Sequence, residues 1–205
     1  MKQRLLCAGI CLALCAASFG AEEKDPTASR EYRRIATWIK QLEHADARKR
    51  AHAAFVLGNI GSREGIAPMV KLLGPGAEKS PRVVLALCYA LGQLKAREAY
   101  ELELKALGHA DAGVRNHAAW ALGEIGILAC SRELIRLLAD PDAMVRRRAV
   151  ESLRKLSGKS FGYGPGDAPS GRAGAAKKWA GWWRDEGARL SDKQQKKLSS
   201  AAERR

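Results

Sequence analysis

The chain has 205 residues, with 36 lysines and arginines against 22 aspartates and glutamates, a formal charge of +14. A hydrophobic fraction of 46% beside 28% charged residues suits a chain that buries a core, and it excludes wholesale disorder and a polytopic membrane protein. Five cysteines over this length make no disulfide framework, and the length allows one or two domains.

Met1 to Arg4 carries two cations, Leu5 to Ala17 is a run of 13 residues without charge, and Ser18 and Gly20 are small residues before a cleavage after Gly20. Residues 1–20 therefore read as a signal peptide, and the protein is expected to be exported, periplasmic or secreted. The apolar run falls short of the roughly 20 residues a spanning helix needs, so no transmembrane span is expected after cleavage. A lipoprotein is disfavoured, because Cys15 follows Leu14 where a lipobox has Gly, Ala or Ser. Cleavage removes Lys2 and Arg4 and leaves the rest strongly basic. It also removes Cys7, Cys11 and Cys15, so Cys88 and Cys130 remain, each in an apolar helical run and read as a small buried side chain. Residues 21–28 read as a linker.

An internal repeat organises the rest of the chain. His44, Asp46, Arg50, His52, Leu57, Gly58, Ile60 and Gly61 line up with His109, Asp111, Arg115, His117, Leu122, Gly123, Ile125 and Gly126, 65 residues further on. That interval is two units: Val83 to Leu94 lies between them in the same register, and Val145 to Leu156 comes after. Asp46, Ser80, Asp111 and Asp142 take the slot before each first helix, where a short acceptor caps a free backbone N–H, and Pro81 takes a first helical position. Leu57, Leu91, Leu122 and Leu153 fall three or four residues after small apolar ones, a helical stripe. Gly58, Gly92 and Gly123 are expected near helix ends, where a left-handed or tight backbone is easiest for glycine. The second helices carry apolar pairs three apart, Val70 with Leu73, Leu104 with Leu107 and Ile135 with Leu138; Ile39 with Leu42 makes residues 29–43 an opening half-unit. No strand-like alternation occurs. The fold expected is all-α: a short right-handed α-solenoid of three and a half to four helix pairs over residues 29–156.

The run from Val114 to Gly126 resembles the HEAT-like repeat of phycobilisome lyases and many bacterial scaffold proteins. The resemblance covers residues 44–156 and rests on packing positions, so it speaks for fold more than function. Unit two departs from it at Val84, where the others have Arg50, Arg115 and Arg146. The segment after Leu156, with Phe161, Gly162 and Tyr163 and then Trp179, Trp182 and Trp183 on one helical face, is similar to the end of exported bacterial HEAT-repeat proteins. Residues 157–186 are therefore expected to cap the stack, the alternative being an aromatic ligand platform, and residues 187–205 read as a charged, mobile tail.

No nucleophile elbow, phosphate loop, Cys-x-x-Cys or His-Glu-x-x-His spacing is present, so no catalytic residue, cofactor or metal is assigned. The paired histidines His44 with His109 and His52 with His117 are two units apart, on the order of 20 Å, against the ~2.1 Å a zinc ligand spans. Lyase kinship would imply chromophore attachment on cytoplasmic partners, at odds with an export signal.

Two columns carry the functional reading. Phe55, Tyr89 and Trp120 share a slot two residues before the buried leucines, an aromatic file open to lateral packing or partner contact alike. Lys40, Lys71, Lys105 and Arg136, spaced 31, 34 and 31, sit at the ends of the second helices. There they complement the macrodipole and also form a basic track. Together the columns point to a non-catalytic protein-interaction scaffold of the bacterial cell envelope, its partner acidic, with Lys71, Lys105 and Arg136 central. Binding of an anionic envelope polymer or membrane surface through the same cations is the alternative, and lyase-like or other enzyme activity comes third. Nucleic acid suits the charge but not export.

Overall fold

The computed structural model describes residues 26–164 and 166–202; the leader expected at 1–20 lies outside the described residues. Thr37–Arg205 forms one compact unit, and Met1–Ala36 is set apart as a second. Every regular element among the described residues is helical. Helix α1 spans Pro26–Gln41, starting inside the stretch read as a linker. Three helix pairs come next: α2 (Ala47–Ile60) with α3 (Ile66–Leu73), α4 (Pro81–Gln93) with α5 (Tyr100–Ala106), and α6 (Ala112–Ile125) with α7 (Ser131–Arg136). Then come α8 (Ala143–Ser157), α9 (Pro169–Trp182) and α10 (Ala188–Ala202). Helices α2, α4, α6 and α8 pack in a row, each on the next, and a single 3-10 turn leads into each of α3, α5 and α7.

Local chemistry explains the boundaries. The carboxylates of Asp46, Asp111 and Asp142 accept from Arg48, Val114 and both Met144 and Val145 backbone N–H groups, capping α2, α6 and α8. Ser80 holds the same extended backbone but makes no side-chain cap; the Glu78 carboxylate accepts from the Lys79 and Ser80 N–H groups instead. The glycine column also differs from the expectation. Gly58 and Gly92 keep helical backbones, and their role is close approach: a Cβ would lie 2.7 Å from the Ala90 Cα at Gly58 and 2.7 Å from the Trp120 ring at Gly92. Bare backbone lets neighbouring first helices touch.

Leu57, Leu91, Leu122 and Leu153 are each 0% exposed, and the small residues Ala53, Cys88, Ala119 and Ala149 fill the space around them. The far end is closed by the aromatic segment: Phe161 meets Trp179 edge-on at 4.7 Å, Trp179 meets Trp182 at 5.7 Å, and both tryptophans join the core of Leu134, Leu138 and Leu153. The Tyr163 hydroxyl donates to the Leu138 carbonyl, pinning the turn before the cap. Residues 188–202, read from sequence as a charged tail, form a helix whose Gln194 amide donates to the Gly126 carbonyl and accepts from the Leu128 N–H. Both free cysteines, Cys88 and Cys130, are buried. No described helix is long and apolar enough to cross a membrane.

Candidate functional site

The second helices are short, eight residues in α3, seven in α5 and six in α7, and each carries its cation in the last turn: Lys71, Lys105 and Arg136. Lys40 holds the same place in α1. All four side chains are exposed, and among the described residues none has a hydrogen bond or ion pair. Glu101 and Glu133 lie in the first turns of α5 and α7, so both ends of those helices complement the macrodipole. The face is consequently divided rather than uniformly basic. A groove of about 420 Å³ is lined by Ile39, Leu42, Pro68 and Leu72, with Lys71 and Glu43 as its charged members. Further along, a groove of about 730 Å³ is lined by Glu98, Glu101, Glu133 and Asp192 against Arg97 and Arg132.

The other cation column behaves in the opposite way. Arg50 donates to the His44 and Ala45 carbonyls and pairs with Glu78 of the next loop at 2.7 Å. Arg115 repeats this on the His109 and Ala110 carbonyls and Asp140, at 2.8 Å. Arg146 donates to the Asp140 and Pro141 carbonyls. The hydrogen bonds that Arg50 donates to Glu78 raise the Arg50 pKa. Burial pushes the Glu78 carboxyl up, but Arg50 and the Ser80 N–H outweigh it and leave it below its usual range. These arginines bolt one repeat to the next.

Phe55, Tyr89 and Trp120 stack in one pile, with centroids 5.2 and 5.4 Å apart and planes 18° and 15° from parallel. At that spacing each ring covers part of its neighbour's face, so lateral packing absorbs much of the aromatic surface. The Tyr89 hydroxyl donates to the Asn59 side chain and accepts from Gln93, and Phe55 remains 45% exposed. The histidines are loop fasteners: His44 and His109 each accept a backbone N–H at 2.9 Å through Nδ1, from Asp46 and Asp111. His117 meets the Gly113 carbonyl, and His52 packs edge-on against Trp38.

One residue escaped the sequence reading. Glu103 is 0% exposed, and among the described residues no group other than the neighbouring Cys88 thiol offers its carboxyl a hydrogen bond. Burial pushes its pKa up to about 8, and the neighbouring Cys88 thiol draws it back only in part. It occupies the column held by Met69 and Leu134, two residues before each cation; that alignment is the signal by which it could have been found.

The family comparison agrees with this architecture. A family model for HEAT repeats matches residues 35–102 and 100–169. No curated protein matches. Among solved structures, the chain is similar to one in the complex of CpcE and CpcF of phycocyanin lyase from Nostoc sp. PCC7120, with 19% identity and a TM-score of 0.43, covering 61% of this chain and 65% of that one. An engineered protein matches at 18% identity and a TM-score of 0.47, covering 77% of this chain and 74% of its own.

Proposed function

The chain belongs to the HEAT-repeat family, a helical repeat scaffold for protein interaction, and from that premise we propose that it is a non-catalytic scaffold of the bacterial cell envelope. It binds an acidic protein through the second-helix cations, with Lys71, Lys105 and Arg136 at the centre and the open edge of the Phe55, Tyr89 and Trp120 pile as an accessory contact. The observation that carries this reading is the split between the two cation columns. Arg50, Arg115 and Arg146 are taken up by loop carbonyls and carboxylates, whereas the second-helix cations are exposed and unpaired among the described residues. A charge column that complements its helix ends but makes no ion pair or hydrogen bond among the described residues is available for a partner. The export signal read at residues 1–20 supports the envelope as the setting.

Crosslinking and affinity capture from the cell envelope test this, with the native chain beside a variant carrying Lys71→Glu, Lys105→Glu and Arg136→Glu. Capture of one protein by the native chain and its loss in the variant is expected. The same protein on both chains overturns the reading and leaves the cations as helix-end electrostatics. Capture of an anionic polymer or lipid instead, falling steeply with salt, replaces it with the polymer reading.

A further inference from the structure

We propose that the groove between the end of α1 and helix α3 seats an acidic amphipathic helix of the partner, its apolar face in the groove and its carboxylates on the adjoining cations. This deepens the scaffold reading above and rests on it. The lining is mostly apolar, contributed by Ile39 at the end of α1, Leu42 in the turn after it, and Pro68 and Leu72 of α3. Its volume of about 420 Å³ suits several aliphatic side chains.

Charge complementarity selects the occupant. Lys71 lines the groove without an ion pair among the described residues, and Lys40 is exposed one residue after the lining residue Ile39. The lining itself carries one lysine and one glutamate, Lys71 and Glu43, and the exposed Lys40 adjoining it tips the border toward positive charge among the described residues. A compact small molecule is poorly served, because only Glu43 and Lys71 offer charge to orient it, whereas small-ligand pockets converge several polar groups. Beyond Lys71 the face is divided, with Glu101 and Glu133 in the same helices as Lys105 and Arg136, so the acidic helix is confined to the end that carries Lys40 and Lys71. No sheet edge exists among the described residues to receive an extended strand, so the fitting mode is a helix in a groove, with anchors at i, i+3, i+4 and i+7.

Fluorescence anisotropy on the chain without its leader tests the proposal. The probe is a labelled helical peptide of about 18 residues with leucines on one face and glutamates flanking it. Its scrambled isomer and a lysine-for-glutamate version serve as controls. Binding about tenfold tighter than either control is expected, with Ala67→Trp or Ala77→Trp, each an exposed lining residue, abolishing the preference and Lys71→Glu weakening it. Equal binding of the scrambled isomer, or a preference unchanged by both tryptophan variants, overturns the proposal. So does self-association of the protein, seen by sedimentation and abolished by Ala67→Trp, because the occupant is then a second copy. Should the triple Glu variant lose its captured partner while the tryptophan variants keep it, the scaffold reading stands and the groove proposal falls.

Discussion

Repeats one and three are built almost alike, and repeat two departs from both at position after position. In repeats one and three an arginine, Arg50 or Arg115, clamps its own loop and reaches a carboxylate of the next; repeat two has Val84. Repeats one and three place Met69 or Leu134 in the core of the second helix where repeat two places Glu103, and both end their first helix on a left-handed glycine where repeat two uses Lys95. The difference teaches that this stack is not uniformly stable. In a nearest-neighbour solenoid the weakest unit limits how far cooperativity extends, and here the weakest unit is the middle one.

Making repeat two resemble its neighbours should therefore stabilise the protein, most of all at Glu103. In the unfolded chain this carboxyl ionises near 4.5, and in the folded one at about 8. Between those values folding takes up a proton, so stability falls as pH rises and levels off above 8. Cys88 beside it stays protonated throughout, its pKa driven well above 9 by burial. Glu103→Leu should raise stability by a few kcal/mol, on the order of 3 at pH 9 and less at pH 5. Urea midpoints measured across pH 5 to 9 check this; curves of native and variant that run parallel would remove Glu103 from the account.

The missing clamp gives a second, smaller contrast. The loop position that supplies Glu78 and Asp140 to the arginines is His109 in the loop that comes after repeat two, so Val84 and His109 are matched to each other as the arginines are to the carboxylates. Val84 is buried, so Val84→Arg alone should destabilise, because it brings in a cation with no carboxylate to meet it. Together with His109→Glu it should recover stability, with a coupling of about 1–3 kcal/mol in a double-mutant cycle. Additive effects would mean that the ladder has no partner specificity. Removing an existing rung by Arg115→Ala should cost about 2–3 kcal/mol, since Asp140 stays buried without its guanidinium.

The fold was legible because its signals are local and repeated: the buried leucines recur at a fixed register, and aspartate caps announce three of the four first helices, α2, α6 and α8, within three residues. The glycine column was misjudged because left-handed ends and close helix approach demand the same residue, and the two are told apart only by neighbours such as Ala90, some thirty positions away. The candidate site was half legible. Sequence spacing placed Lys71, Lys105 and Arg136 in one column, but whether a cation is free or spent depends on carboxylates from other loops. Glu103 hid in a short helix dense with charge, where only alignment against Met69 and Leu134 exposes it as the odd member of a core position.

The smallest expected effect concerns the turn after α4. Lys95 has φ of 49°, and the equivalent Gly61 and Gly126 have φ of 79°. A side chain in the left-handed region costs roughly 1 kcal/mol that glycine avoids, although glycine also gives the unfolded chain more freedom to lose. The first term is larger where φ is positive, so Lys95→Gly should stabilise by about 0.5–1 kcal/mol, and Gly126→Ala should destabilise by about 1 kcal/mol. Lys95 is exposed and forms no ion pair among the described residues, so the substitution removes no contact that would confuse the comparison. Thermal midpoints of the two variants decide it. A stabilised Lys95→Gly confirms that repeat two carries backbone strain its neighbours lack, and a destabilised one would confine the weakness of the middle repeat to its core and its missing clamp.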